Sequence, residues 1–295
     1  MDIYHTYHCH QLGSKNNVGM LSWAILIQNV FGGGGQKWIE GCLIDQSPTW
    51  QEYYFGANSK QGRYSVGSFP GGHAVFIVYQ SKANPEDSVT IKRSTLKNCG
   101  SNVIVHDSSD LDLLINECVI DGGYFPIVQN KTSSFPDWRG NCIMIGAPSI
   151  DSWGQSPVIE ILDNKLTARG WTAWGVSMWG CANGEVTVAD NAILCETAGL
   201  NYAGGVLLRA FWTEGSNKNQ VLRNTILGTG RWAIMVDAPA LVPCEENMFI
   251  DNVLSDFSPQ GAGAVYFGPL ANYNVFSGDP GAGIVDLGTG NVIVK

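Results

Sequence analysis

The sequence has no stretch of ten or more residues in which apolar side chains recur at helical spacing, and only 15% of it is charged, against 44% hydrophobic. The first lack excludes a helical bundle. The second excludes a disordered chain, because so apolar a composition can bury a sizeable core. Basic runs are missing as well: no cluster exceeds Lys92-Arg93, and the net charge is −9, which argues against a nucleic-acid partner. No apolar run is long enough to span a bilayer, since residues 21–30 are interrupted by Ser22 and Gln28. The opening residues, MDIYHTYHCHQLGSKNN, have neither a basic nor an apolar leader. The expectation is a cytoplasmic protein or, if the chain is a mature form or fragment, an extracellular or cell-surface one.

None of the eight cysteines lies in a Cys-x-x-Cys pair or at a zinc-like distance from histidine. Cys42, Cys118 and Cys142 fall at inward positions of the pattern set out below, where a thiol acts as a small hydrophobe. Buried free thiols are therefore expected in preference to a disulfide framework. His5, His8, Cys9 and His10 have the donor types for Zn²⁺ or Cu²⁺, but a terminus with accidental histidine density reads the same way, and no metal or other cofactor is assigned.

What the chain does have is glycine, 36 residues without a collagen period, and a returning phrase. An aliphatic or aromatic residue is followed at +3 by Asn or a small residue and at +5 by Leu or Ile. It occurs as ILDNKL at 161–166, VADNAI at 188–193, VLRNTI at 221–226 and FIDNVL at 249–254, and in altered form at 38–43, 91–96 and 115–120. Each copy is preceded by a short β-rich run such as VIVHD, GVSMWG or GVLLRA. A unit of about 24–33 residues built of short strands and Gly/Asn corners is the signature of a solenoid. Stacked asparagines at one bend favour it over a sandwich, since an amide ladder bonds to the copies above and below. Asn also tolerates the left-handed conformation such a bend requires.

These phrases resemble the right-handed parallel β-helix of the pectin-lyase-like superfamily, and within it the right-handed β-helix repeat group with its copper-binding and carbohydrate-binding repeats. The resemblance covers about residues 24–290 and implies an all-β, single-stranded right-handed solenoid of eight to ten rungs, roughly 40–50 Å long. It implies an N-terminal segment or cap at 1–20 and one β-helix domain at 21–295, with long loops on one flank. The motifs by which the superfamily's hydrolases, pectate lyases and epimerases are known (Asn-Thr-Asp, Gly-His-Gly, Trp-Ile-Asp-His, Asp-Pro-His-Asp) do not occur. Whether the protein is an enzyme stays open at this point; if so, a lyase, glycoside hydrolase or epimerase is implied.

Alternation assigns an inward set in the first strand column: Val75/Ile77, Val103/Val105, Cys142/Met144, Val176/Met178, Val206/Leu208 and Ala233/Met235. The opposite set, which takes in Ile143/Ile145, Ile234/Val236 and Val265/Phe267, is an apolar outer strip interrupted by His106, Ser177, Trp179 and Arg209, which calls for a cover or a partner. Glu40, Arg93, Glu117, Asp163, Asp190, Arg223 and Asp251 form a solvated outer column of the second strand. Residues 45–72 and 122–140 are long aromatic loops leaving the same bend.

Two functional readings follow. The first is a carbohydrate-directed protein that binds or processes a polysaccharide, with Trp138, Trp153, Trp179, Trp212 and Tyr124 stacking on sugar rings. Its candidate catalytic residues are His106, Asp107, Asp110, Arg209 and Asp237. The second is a non-catalytic structural protein that self-associates through its apolar outer sheet and open ends.

Overall fold

A computed structural model describes residues 2–5, 23–29, 35–46, 73–79, 88–97, 101–106, 112–122, 139–146, 158–170, 173–181, 186–197, 203–211, 214–238 and 242–295. Among them are 28 short strands and no helix. Each turn of the chain lays one strand in each of three columns. Sheet 1 begins with Trp23–Asn29, sheet 2 with Gln36–Glu40, and sheet 3 holds Leu43–Gln46, before the chain returns to sheet 1 at His73–Tyr79. Pairing between successive rungs is parallel throughout the columns; a short antiparallel contact of Arg139–Gly140 with Arg169–Gly170 joins sheets 1 and 3. Sheet 2 has nine strands and thus sets nine rungs, within the expected range. The fold is a parallel β-helix, right-handed in keeping with the chirality of parallel crossovers. Asp2–His5 adds a strand to sheet 3 beside Leu43–Gln46.

The core is three stacks of like residues. In sheet 2 the register places Ile39, Ile91, Ile115, Ile161, Val188, Val221, Phe249 and Phe276 one above another. Ile44, Leu96, Ile120, Leu166, Ile193 and Ile226 do the same in sheet 3. All are buried, and β-branched side chains suit such a surface because their restricted rotamers pack without further entropy loss. Cys42, Cys118, Cys142, Cys181, Cys195 and Cys244 are free thiols, and burial pushes all but Cys42 up from the ordinary thiol pKa.

Where sheet 2 turns into sheet 3, Asn164, Asn191, Asn224 and Asn252 stack. Each Nδ2 donates to the next Oδ1, at 2.9 Å for Asn164 to Asn191, 2.9 Å for Asn191 to Asn224 and 3.0 Å for Asn224 to Asn252. Each also donates back to the core strand, as Asn191 Nδ2 does to Ile161 O at 2.8 Å. Toward the N-terminus Cys118, Ser94 and Cys42 occupy the same position, and Cys118 Sγ and Ser94 Oγ reach the corresponding carbonyls of Ile91 and Ile39. The left-handed conformation falls on the residue before the ladder, not on the asparagine: Asp163, Asp190, Arg223 and Asp251 have φ of 56°, 60°, 52° and 55°. The asparagine needs ordinary backbone geometry to turn its amide inward.

That finding also relocates the charged column. Arg93, Glu117, Asp163, Asp190, Arg223 and Asp251 are corner residues and not the outer face of a strand; Glu40 pairs with Lys92 in sheet 2. The column is solvated and locally paired. Arg223 grips Asp190 through Nε and Nη2 at 2.8 and 2.6 Å, holding that carboxyl below its usual range, and Arg93 pairs with Glu40.

A second asparagine ladder, unforeseen from the sequence, stands between sheets 1 and 2. Asn219, Asn247, Asn274 and Asn291 bond amide to amide at 3.1, 2.9 and 3.2 Å.

The alternation assigned to sheet 1 fails on three strands. In Arg139–Gly146 the core residues are Ile143 and Ile145, in Trp232–Asp237 they are Ile234 and Val236, and Met144 and Met235 face outward. Val265 and Phe267, assigned outward, are also in the core. The cause is a bulge at the corner. Ala233 and Ile234 both donate to Ala264 O, and Ala264 and Val265 both donate to Gly283 O, so two successive residues face inward before alternation resumes. The first of the pair is small on five successive rungs: Cys142, Gly175, Gly205, Ala233 and Ala264. At Gly175 a Cβ would stand 2.5 Å from Ile193.

Candidate functional site

With register corrected, the outer face of sheet 1 carries two long rows of side chains. The middle row runs Leu26, Phe76, Ile104, Met144, Ser177, Leu207, Met235, Tyr266 and Val285. The outer row of positions runs, by backbone register, Gln28, Val78 and His106, whose side chains lie outside the described residues, then Gly146, Trp179, Arg209 and Asp237, with Gly268 on the next rung, donating its N–H to Val236 O. The middle row is not an exposed apolar strip. Ile104, Leu207 and Met235 are 4%, 0% and 6% exposed, while Leu26 at one end is 38% exposed. Trp174 and Trp232 flank Leu207 and form with it and Met235 a second apolar cluster outside the core. Between those tryptophans Gly204 leaves the space: a Cβ there would overlap Trp232 O and touch the Trp174 ring at 3.0 Å.

The outer row brings together three of the residues singled out from sequence. The Arg209 guanidinium lies 4.8 Å from the Trp179 ring centre, and its Nε is 3.9 Å from Asp237 Oδ2. Phe211, on a small loop closed by its mutual backbone bonds with Glu214, meets Trp179 edge-on at 6.1 Å. One step along, Tyr266 stacks on Trp232 at 4.9 Å, and Arg231 covers the Trp232 ring at 5.3 Å while donating to Gln260 O at 3.2 Å. Desolvation and then the Asp237 charge raise the Tyr266 phenol's pKa, with Arg231 opposing. Ser177 Oγ and Trp179 Nε1 are buried without a hydrogen-bond partner. Natural proteins avoid such groups, and they cluster at functional sites.

The His106 backbone is on the same row, three rungs before Arg209, or roughly 14 Å at the strand spacing, and its side chain lies outside the described residues. Asp107, Asp110, Trp138, Trp153, Trp212 and Tyr124 lie outside the described residues, as does the N-terminal histidine cluster apart from the backbone of His5. No group of three metal-binding side chains occurs among the described residues, and no described helix is long and apolar enough to cross a membrane. Sequence reasoning missed Tyr266, Trp232 and Arg231. Misassigned alternation hid Tyr266 between Val265 and Phe267, which were read as outward.

No family model matches the chain, and no curated protein matches it. Among solved structures, the chain is similar at 13% identity and a TM-score of 0.29 to DFA-IIIase from Arthrobacter chlorophenolicus A6 in complex with GF2, over 89% of this chain and 86% of that one.

Proposed function

We propose that the protein binds a polysaccharide along the outer face of sheet 1. The observation that carries this reading is the aromatic and cationic strip: Trp179 under Arg209 at 4.8 Å and Tyr266 on Trp232 at 4.9 Å, on a rigid β-scaffold. Trp179 and Tyr266 keep exposed surface, Trp232 beneath Tyr266 being buried; a planar ring offers a sugar an apolar face, and the adjoining Arg209 and Asp237 offer a donor and an acceptor to hydroxyls. Rungs about 4.8 Å apart hold these groups in fixed order for an extended ligand. The reading is of binding: the charged groups of the two long rows from Ser177 to Val285 are Arg209 and Asp237, with Glu214 beside Phe211 at their edge.

Affinity electrophoresis and calorimetry against a panel of soluble polysaccharides test the proposal. Binding to at least one, weakened about tenfold by Trp179→Ala without loss of fold, is expected for one aromatic contact of ~1.4 kcal/mol. No binding across the panel, or full binding by the variant, overturns it.

A further inference from the structure

The outer face of sheet 2 stays open toward its C-terminal rungs, where that of sheet 1 is filled by its own tryptophans. Register stacks Met248, Val275 and Val292 in one outward row and Leu222, Ile250 and Val294 in the other. From Thr187 and Ala189 onward the two rows hold no charged side chain. Met248, Val292 and Val294 are 38%, 51% and 50% exposed, and Leu222, Ile250 and Val275 are half-buried. A continuous apolar face of this kind marks a contact surface.

Charges stand along both edges of the face, and their order is specific. On the rung of Gln220–Leu222, Lys218 is at the corner entering the sheet and Arg223 at the corner leaving it. On the next rung, that of Met248–Ile250, the same corners hold Glu246 and Asp251. All four share one left-handed backbone conformation, with φ of 59°, 52°, 58° and 55° in that order. The first rung is thus cationic at both edges and the second anionic at both. Lys218 and Glu246 are 3.8 Å apart and more than half exposed, and Arg223 holds Asp190 on the rung before.

A second copy can lie on this face, strands aligned, in two symmetric ways. A two-fold axis along the rod sets Lys218 against Arg223 of the second copy and Glu246 against its Asp251, like charge on like. A two-fold axis parallel to the strands, midway between the two rungs, sets Lys218 against Glu246 of the second copy and Arg223 against its Asp251. It also closes Leu222 on Ile250 of the second copy. Opposed charges fix register and exclude the wrong arrangement. Six rungs, from Ile159–Leu162 to Val292–Val294, overlap about this axis, with Glu160 at the rim. At ~4.8 Å per rung and ~17 Å of strand and corners they cover about 1,000 Å² over both copies, the lower bound for a specific interface.

We infer that the outer face of sheet 2 is the interface of a homodimer, two copies face to face with their rods running in opposite directions about that axis. Sheet 1 takes no part in the contact, so the inference is independent of the glycan-binding reading.

Sedimentation velocity of the full chain, from about 1 to 300 µM, tests it, with a monomer–dimer equilibrium of micromolar dissociation constant expected. Leu222→Lys, an outward change, is expected to weaken the dimer roughly tenfold or more. Lys218→Glu with Arg223→Glu makes both edges anionic on both rungs and is expected to weaken it about tenfold. Adding Glu246→Lys and Asp251→Lys to that pair restores opposite charges across the axis, and a return to within about threefold of the parent is expected. Thermal transitions check the fold of each variant; if Leu222→Lys does not fold, the two charge variants decide. A parent that stays monomeric throughout overturns the inference. A dimer indifferent to Leu222→Lys overturns it too, as does one that the second pair of reversals fails to recover.

Discussion

The guanidinium carbon of Arg209 stands 4.8 Å above the ring of Trp179, its register partner on the preceding rung. A planar guanidinium stacks on an indole as an ammonium does not. A double-mutant cycle of Trp179→Leu and Arg209→Gln, read by denaturant unfolding, is expected to give a coupling of about 0.5–1 kcal/mol. Arg209→Lys is expected to keep less than half of it. A coupling of zero refutes the stacking contact.

Asn191 makes five bonds in its ladder, receiving from the backbone and side chain of Asn164 and giving to Asn224, Ile161 and Ala189. Asn191→Ala strands these partners in a dry corner, and a loss of about 2–4 kcal/mol is expected. Asn191→Ser is expected to lose less, because Ser94 fills the equivalent position higher in the same column and its hydroxyl reaches the core strand. Equal losses for the two variants contradict the hydrogen-bond account.

Ser177 is 2% exposed and its hydroxyl has no partner, sitting between Met144 and Leu207 in the outer face. Ser177→Ala removes an unpaid desolvation and is expected to stabilise the protein by about 1 kcal/mol. A lowered unfolding midpoint would show that the hydroxyl is satisfied in solution.

The Cys244 thiol is pushed up from 9.0 to about 11, chiefly by burial. A proton held more tightly in the folded state stabilises the fold in full below pH 9, and that contribution is lost as pH rises through about 11. For Cys244 the loss amounts to ~3 kcal/mol at most. Cys142, Cys181 and Cys195, raised further, act in the same direction. Alkaline unfolding beginning above pH 9 is expected, with Cys244→Ala less sensitive to pH than the parent. Identical alkaline profiles would exclude the thiol as a source.

The winding of the chain was legible because its cause is local and repeated. ILDNKL and VLRNTI place an aliphatic residue, a corner and an amide at fixed offsets, and the cylinder follows. The second ladder was not read: Asn219, Asn247, Asn274 and Asn291 share only an Asn followed at +2 by Val, Phe or Ile, too short a phrase to stand out without knowing where rungs fall in space. Sheet 1 misled for a related reason. A bulge costs one residue of phase, and in an apolar run such as WAIMVD nothing in composition tells Ile234 from Met235. The site suffered most from this, since Arg209 and Asp237 could be aligned by counting rungs while Tyr266 could not.

The two amide seams do not run the same distance. One passes through Asn164, Asn191, Asn224 and Asn252; the other begins only at Asn219 and continues to Asn291. Around Val221 and Phe249 the rod is stitched along two edges; around Leu113 and Ile159 the described residues stitch it along one. Because each rung of a solenoid touches only its neighbours, the molecule is mechanically graded, tougher toward its C-terminal turns. Heat or a pulling force should unwind it from the other end, and the half that contains Arg209 and Asp237 should be the last to let go.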